Sequence, residues 1–358
     1  MSAPLVSVVV PAYNHERYIA NALESVAAQS HPALELIVID DFSTDGTAGA
    51  IERWCASQSA SGRFRRIQFV RNEQNAGAHA SLNRGMALAR GAFLCLLNSD
   101  DFFAPTRIAT LLGRMESEGS RFGFSAVMPV DDAGRQTLES PLARRIATAR
   151  EELAALPSAS FGFIFRQLAI STGNFLLHRS LYEEIGGFAP LRYCHDWDFV
   201  LRAVLRTEPV FADEYLYFYR FHASNSFAAL NDVARQETET VLANYYARCL
   251  SIAAANDRAP TPHNWPGVFE HYIEFFELEH LWTRICRQHG VVNGYPVSTG
   301  GGPRLSRYVA VDDQEPGASV GASLRQAIGS LRRARAKGWR HVPRVAYNAC
   351  RLWLRSGS

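Results

Sequence analysis

The chain has 358 residues, 47% of them hydrophobic and 20% charged, a balance that excludes a disordered polypeptide and leaves length for one large domain with an appendage. The net charge of +2 is unevenly placed: residues 321–358 carry nine Lys/Arg and no Asp/Glu, whereas residues 1–320 hold 28 basic and 35 acidic groups. An acidic body of net −7 without a recognised nucleic-acid-binding motif argues against a nucleic-acid partner.

Residues 5–11 form a β-branched run ending at Pro11 and read as a central strand. After Ala12 and Tyr13, Asn14 is a candidate N-cap for a helix whose apolar face is Tyr18, Ile19, Leu23 and Val26. A second strand, residues 34–39, stops at Asp40-Asp41 and turns into a helix near 47–57. A third strand at 67–70 is followed by a polar segment, 72–79, that includes Asn75, and by a helix to about residue 89. The fourth strand, 93–97, ends abruptly at Asn98-Ser99-Asp100-Asp101, ahead of a helix at about 105–117 with Pro105 near its start.

Strand and helix therefore alternate four times, as expected for βαβ units on a parallel sheet. Right-handed crossovers place the carboxyl ends of such strands on one edge, where ligands bind. Asp40, Asp41, Asp100 and Asp101 share that edge. Paired carboxylates repel; a helix start tolerates them as caps, and a divalent cation holds them while bridging to phosphates. Four acids on one rim exceed what capping explains. The first strand is not followed by GxGxxG, which argues against a dinucleotide fold, and GxxxxGK[ST] is absent.

Further on, residues 122–130 read as a strand, 150–156 as a short helix and 175–177 as a strand. A helix at 179–185 stops at Gly186-Gly187. Asp196 falls at or just before a helix start, where it caps the helix or performs chemistry. Short strands at 210–212 and 215–219 lead to His222, and helices are expected at 232–255 and 266–289. A Gly-rich linker follows at 291–320, then a basic tail at 321–358 carrying Trp339 and Trp353. Such a tail either lies on an anionic membrane surface or packs on the acidic body. Six scattered cysteines without CxxC suit free thiols in a reducing compartment. No apolar run nears the roughly 18 residues of a membrane span, and no leader pattern precedes Leu5. The expected location is the cytoplasm, peripheral on the inner face of the plasma membrane where the tail lies on the membrane and not on the body.

The order of these pieces resembles the family 2 glycosyltransferases. The matching stretches are VVVPAYNHERYI, IDDFSTDGT, NAGAHASLNRG, LLNSDD, GGF with HDWDFVLR, and YRFH, covering about residues 4–226. The resemblance implies a GT-A fold, an α/β Rossmann-like, mostly parallel sheet flanked by helices, with a C-terminal helical extension. The catalytic domain would be 1–228, with a nucleotide half of about 1–130 and an acceptor half of about 131–228, and the helical extension 229–290. The implied activity is inverting transfer from a nucleotide-diphosphate sugar, UDP first, to a hydroxyl of a glycan or lipid-linked acceptor in bacterial surface polysaccharide synthesis. Carried over by position, Pro11, Ala12 and Tyr13 line the base and ribose pocket, with Asn75 also on the donor side. Asp41 accepts from the base and Asp40 supports the loop. Asp101 ligates Mn2+ or Mg2+, and Asp100 faces the ribose or shares the cation. His222 lies near the diphosphate and the metal, and Asp196 is the catalytic base. Thr172, Gly173 and Asn174 contact the acceptor. Asn98 stands where the fuller pattern often has aspartate, the one feature that favours a degenerate nucleotide-sugar or glycan binder. A nucleotidyltransferase would carry a Gly-rich basic loop after its first strand, which Pro11-Ala12-Tyr13-Asn14 is not.

Overall fold

The computed structural model describes residues 3–222 apart from 59, 155, 157 and 165, together with 231–264, 279–289, 291–292 and 295–296. The elements in order are β1 (Val6–Ala12), α1 (Ile19–Ala27), β2 (Leu34–Asp40), α2 (Thr47–Gln58), β3 (Phe64–Arg71), α3 (Ala78–Leu88), β4 (Phe93–Leu96), β5 (Phe102–Phe103), α4 (Arg107–Glu118) and β6 (Phe122–Val130). There follow α5 (Pro141–Ala154), α6 (Ala159–Phe163), a 3-10 turn (Thr172–Asn174), β7 (Leu176–His178), α7 (Arg179–Ile185), α8 (His195–Val204), β8 (Val210–Arg220), α9 (Asn231–Ser251), α10 (Glu279–Gln288), β9 (Val291–Val292) and β10 (Tyr295–Pro296).

Eight strands form one sheet in the order β3-β2-β1-β4-β7-β6-β8-β5. β3, β2, β1 and β4 are parallel to one another, β6 is parallel to β8, and β7 and β5 pair antiparallel to their neighbours. The central strands are apolar throughout because both faces are covered. Alternation divides their side chains: Val6, Val8 and Val10 join a layer with Ile19, Leu23, Ile51, Ile108 and Leu111 of α1, α2 and α4. Val9, Ile37 and Ile39 join the opposite layer with Leu82, Leu181, Phe199, Tyr245, Tyr246 and Ile285 of α3, α7, α8, α9 and α10. The helical extension thus completes the core on one face.

Three expectations change. β8 is one long strand where two were expected; slips in its register against β6 beside Ala126 absorb the irregularity that interrupts its pattern. The helix expected at 150–156 begins at Pro141, where a fixed φ suits the first turn and no donor is lost. The first residues of the expected linker form a small antiparallel pair, β9 with β10. Of the helix expected at 266–289, the described part is α10, and the tail at 321–358 lies outside the described residues. Among the described residues no helix is long and apolar enough to cross a membrane.

Candidate active site

The parallel register of β1, β2 and β4 sets the ends of these strands along one edge. Pro11 and Ala12 finish β1, and Tyr13, 44% exposed, stands beyond it. Asn14 does not cap α1, whose cap position is Tyr18. At φ 54 it instead donates its N–H to Ser43 Oγ (2.9 Å) and accepts the Thr44 N–H (2.8 Å), locking the β1 and β2 loops together.

Asp40 and Asp41, at the end of β2, are both buried and engaged by protein groups. Asp41 accepts from the Asn72 amide (2.6 Å) and from the N–H groups of Ala76 (2.9 Å) and Gly77 (2.8 Å), pinning the 72–77 loop. Asp40 Oδ2 pairs with Arg71 Nε at 3.0 Å, while its Oδ1 is buried with no hydrogen-bond partner among the described residues. Asn75 is exposed and accepts the Gly77 N–H (3.1 Å). Next to these acids Phe42 is 44% exposed at φ 65, a conformation that is costly for an aromatic residue. Arg71 lies 5.7 Å over its ring.

The antiparallel pair β5–β8 brings Asp100 and Asp101 against Tyr217–His222. The two acids then take opposite roles. Asp101 is buried; its Oδ1 accepts the Arg220 N–H (2.8 Å) and its Oδ2 the Tyr217 hydroxyl. Burial first, and then the Asp100 charge, raise its pKa well above the ordinary value. Asp100 Oδ2 lies 3.0 Å from His222 Nε2 and 3.8 Å from His15 Nε2. Burial alone would raise its pKa, but the His222 hydrogen bond and the two imidazoles hold it below the usual range. His15 Nδ1 is held 2.8 Å from Ser99 Oγ, which leaves Nε2 toward Asp100. Burial lowers the His15 pKa, which favours the neutral imidazole, the form that ligates metals. Ligand atoms of His15, Asp100 and His222 all lie within 4.8 Å of one another. Arg220 braces this corner, donating Nε to the Asp100 carbonyl, Nη1 to the Asp132 carbonyl and Nη2 to Asn21 Oδ1, each at 2.8 Å. Asn98 turns aside and donates to Ser171 Oγ (2.8 Å).

The acceptor-side residues separate as well. Asn174 is wholly buried; it accepts from Arg107 Nη2 (2.7 Å) and donates to the carbonyls of Ser125 (2.8 Å) and Ala169 (3.1 Å), so its amide is engaged within the protein and ties the 3-10 turn to the sheet. Gly173 is required by close approach, because a Cβ there would meet the Tyr217 hydroxyl at 2.2 Å and the Asn98 N at 2.7 Å. Thr172 Oγ1 lies 3.3 Å from His195 Nε2, beside the base candidate. Asp196 sits in the first turn of α8 and accepts the Trp197 N–H (2.7 Å). Burial raises its pKa to about 6 against the opposing pull of that N–H and the Gln167 side chain.

Sequence reasoning left out His15, Phe42 and Tyr217. The signals were thin: a histidine inside a turn motif, an aromatic after paired acids, and a tyrosine in a strand.

The sequence model described as "Glycosyl transferase family 2" matches residues 7–186. Similar curated proteins include the putative teichuronic acid biosynthesis glycosyltransferase TuaG of Bacillus subtilis, 35% identical over 122 residues, 34% of this chain and 46% of that protein. Another is the UDP-Glc:alpha-D-GlcNAc-diphosphoundecaprenol beta-1,3-glucosyltransferase WfaP of Escherichia coli, 32% identical over 121 residues, 34% of this chain and 45% of that protein. The aligned region spans less than half the length of either. Among solved structures, the mannosyltransferase PcManGT of Pyrobaculum calidifontis, in complex with GDP-Man and Mn2+, matches with a TM-score of 0.52 at 18% identity, covering 92% of this chain and 80% of that one. That likeness shows the fold, which is GT-A. Residues 7–186 make up half of the 358-residue chain, which belongs to glycosyl transferase family 2.

Proposed function

We propose that this protein is an inverting glycosyltransferase, moving a sugar from a nucleoside diphosphate to a hydroxyl of a glycan or lipid-linked acceptor in bacterial surface polysaccharide synthesis. The observation that carries this reading is the presence of two acidic centres with different chemistry: Asp100 between two imidazoles, and Asp196 at the head of α8 with a pKa of about 6. The first suits a diphosphate and its cation; the second suits a general base. The name of the Bacillus relative, a putative teichuronic acid biosynthesis glycosyltransferase, and the diphosphoundecaprenol acceptor of the Escherichia relative support the polysaccharide role, and the latter's UDP-Glc donor favours UDP.

Two imidazole nitrogens and a carboxylate oxygen fit a divalent transition cation such as Mn2+ better than Mg2+, so Asp100, His222 and His15 are assigned to hold it. The ligand role expected of Asp101 passes to Asp100, because both oxygens of Asp101 are engaged by Tyr217 and Arg220. When bound, such a cation neutralises charge on the departing diphosphate. Exposed Tyr13 and Phe42 offer ring faces to the base at the ends of β1 and β2. Asp196 takes the proton of the acceptor hydroxyl as that oxygen attacks the anomeric carbon from the face opposite the leaving group. One carboxylate in that role gives a single displacement with inversion. A retaining double displacement needs a second carboxylate at the anomeric carbon, and neither Asp101 nor Asp198 is placed for it, each being tied to protein partners. Asn98, which favours a degenerate binder, loses weight because the His15–Asp100–His222 cluster forms without it.

Asp196→Asn tests the assignment. It should bind UDP or GDP with Mn2+ as the wild type does and lose transfer by about 10²–10⁴-fold. Normal turnover in this variant would overturn the base assignment.

A further inference from the structure

Asp196 follows a turn, residues 191–194, that leads into α8. Cys194 occupies the cap position of α8 and supplies no capping side chain. A residue from another part of the chain does the capping. Glu237, on α9, lies outside the stretch that matches the family. Its Oε1 accepts the N–H of Arg192 (2.7 Å), and its Oε2 accepts the N–H groups of Tyr193 and Cys194 (2.8 Å each). Three successive amides converging on one anion make a nest, and the helix start behind them favours negative charge. Burial works against ionising Glu237, but the three N–H donors outweigh it and hold its pKa below the ordinary value. On the next residue, Thr238 Oγ1 lies 4.0 Å from Cys194 Sγ. Further along α8, Arg202 pairs with Asp198 (2.9 Å) and donates to the carbonyls of Ile185 (2.6 Å) and Gly187 (2.8 Å). The body of the helix is thereby anchored to the α7 end, and its entry to α9.

We propose that Glu237 is a positioning residue for the reaction: by gathering the three amides it fixes the turn that presents Asp196, and so makes the helical extension part of the active site. This inference rests on the reading of Asp196 as the base. A carboxylate displaced by about 1 Å costs up to about a hundredfold in rate, so a remote clamp of this kind acts on turnover and not on donor affinity.

The test uses the full chain with Glu237→Gln, Glu237→Ala and, in parallel, Asp196→Asn. Three quantities are measured: amide hydrogen exchange at 192–194, affinity for UDP and GDP with Mn2+, and release of UDP from UDP-glucose or GDP from GDP-mannose with water as acceptor. In both Glu237 variants exchange at 192–194 should accelerate and nucleotide affinity should stay near wild type. Nucleotide release should fall about tenfold to a hundredfold, less in Glu237→Gln, which keeps one acceptor oxygen. The acid limb of the release rate should also move below 6 as Asp196 gains water, a change that loss of stability alone does not produce. Should Glu237→Ala fail to fold, the near-isosteric Gln variant decides. Unchanged exchange, or faster exchange with release rate and acid limb unchanged, would overturn the positioning role. Undiminished release in Asp196→Asn would remove the base reading itself, and the exchange data would stand apart from that outcome.

Discussion

Asp100 and Asp101 are neighbours in sequence with opposite surroundings, and the difference is testable by metal titration. Calorimetry with Mn2+ should show Asp100→Ala weakening binding by at least about tenfold, since even residues that only orient ligands cost 10–100-fold. Asp101→Asn should leave Mn2+ affinity near wild type but lower the melting midpoint, because an amide keeps one acceptor oxygen where the Tyr217 hydroxyl and the Arg220 N–H use two. Such a loss is of order 1–3 kcal/mol. The reverse pattern would return the cation to Asp101. His15→Ala should weaken Mn2+ more than Mg2+, because imidazole suits transition ions and Mg2+ prefers oxygen. Asp196 yields a prediction of a different kind. A base must be ionised to act, so the transfer rate should rise with pH through about 6, and a limb near 4 would contradict the burial argument. The sign for stability is opposite. A carboxyl whose pKa is raised from 3.8 to about 6 by folding binds protons more tightly in the folded state, so stability falls as pH rises through that window. Asp196→Asn should therefore melt no lower than wild type at pH 7.5, even though it is inactive.

Among the elements, the rim acids were legible because β2 and β4 are short apolar runs that stop abruptly at polar groups, a local pattern that one strand is enough to reveal. The stop of α7 at Gly186 was legible for a similar reason: φ 79 is easy only for glycine. What escaped was set by pairing between distant elements. His15 meets Ser99 across 84 residues of chain, and which of Asp100 and Asp101 turns to the imidazoles is decided by the β5–β8 ladder, whose two-residue strand leaves no periodicity to read. The resemblance assigns Asn174 to the acceptor; its amide is engaged by Arg107, Ser125 and Ala169, partners that no spacing announces. Glu237 is one of three acids in α9, with Asp232 and Glu239, and only the fold shows which of them reaches the α8 entry.

For the molecule as a whole, the two apolar layers explain why a family match that ends at residue 186 understates the functional unit. Tyr245 and Tyr246 of α9 and Ile285 of α10 are buried in the same layer as Phe199 of α8, so the extension and the helix bearing Asp196 form one packed body. The central claim, a nucleotide-sugar transferase whose cation is held at His15, Asp100 and His222, is tested most directly by thermal stabilisation with UDP and GDP, each with and without Mn2+. A ligand of the folded state present at a hundredfold excess over its Kd adds about 2.7 kcal/mol. The account predicts that one nucleotide raises the midpoint only with Mn2+ and that Asp100→Ala abolishes the shift. Stabilisation by neither nucleotide, or an equal shift without metal and in Asp100→Ala, would contradict it.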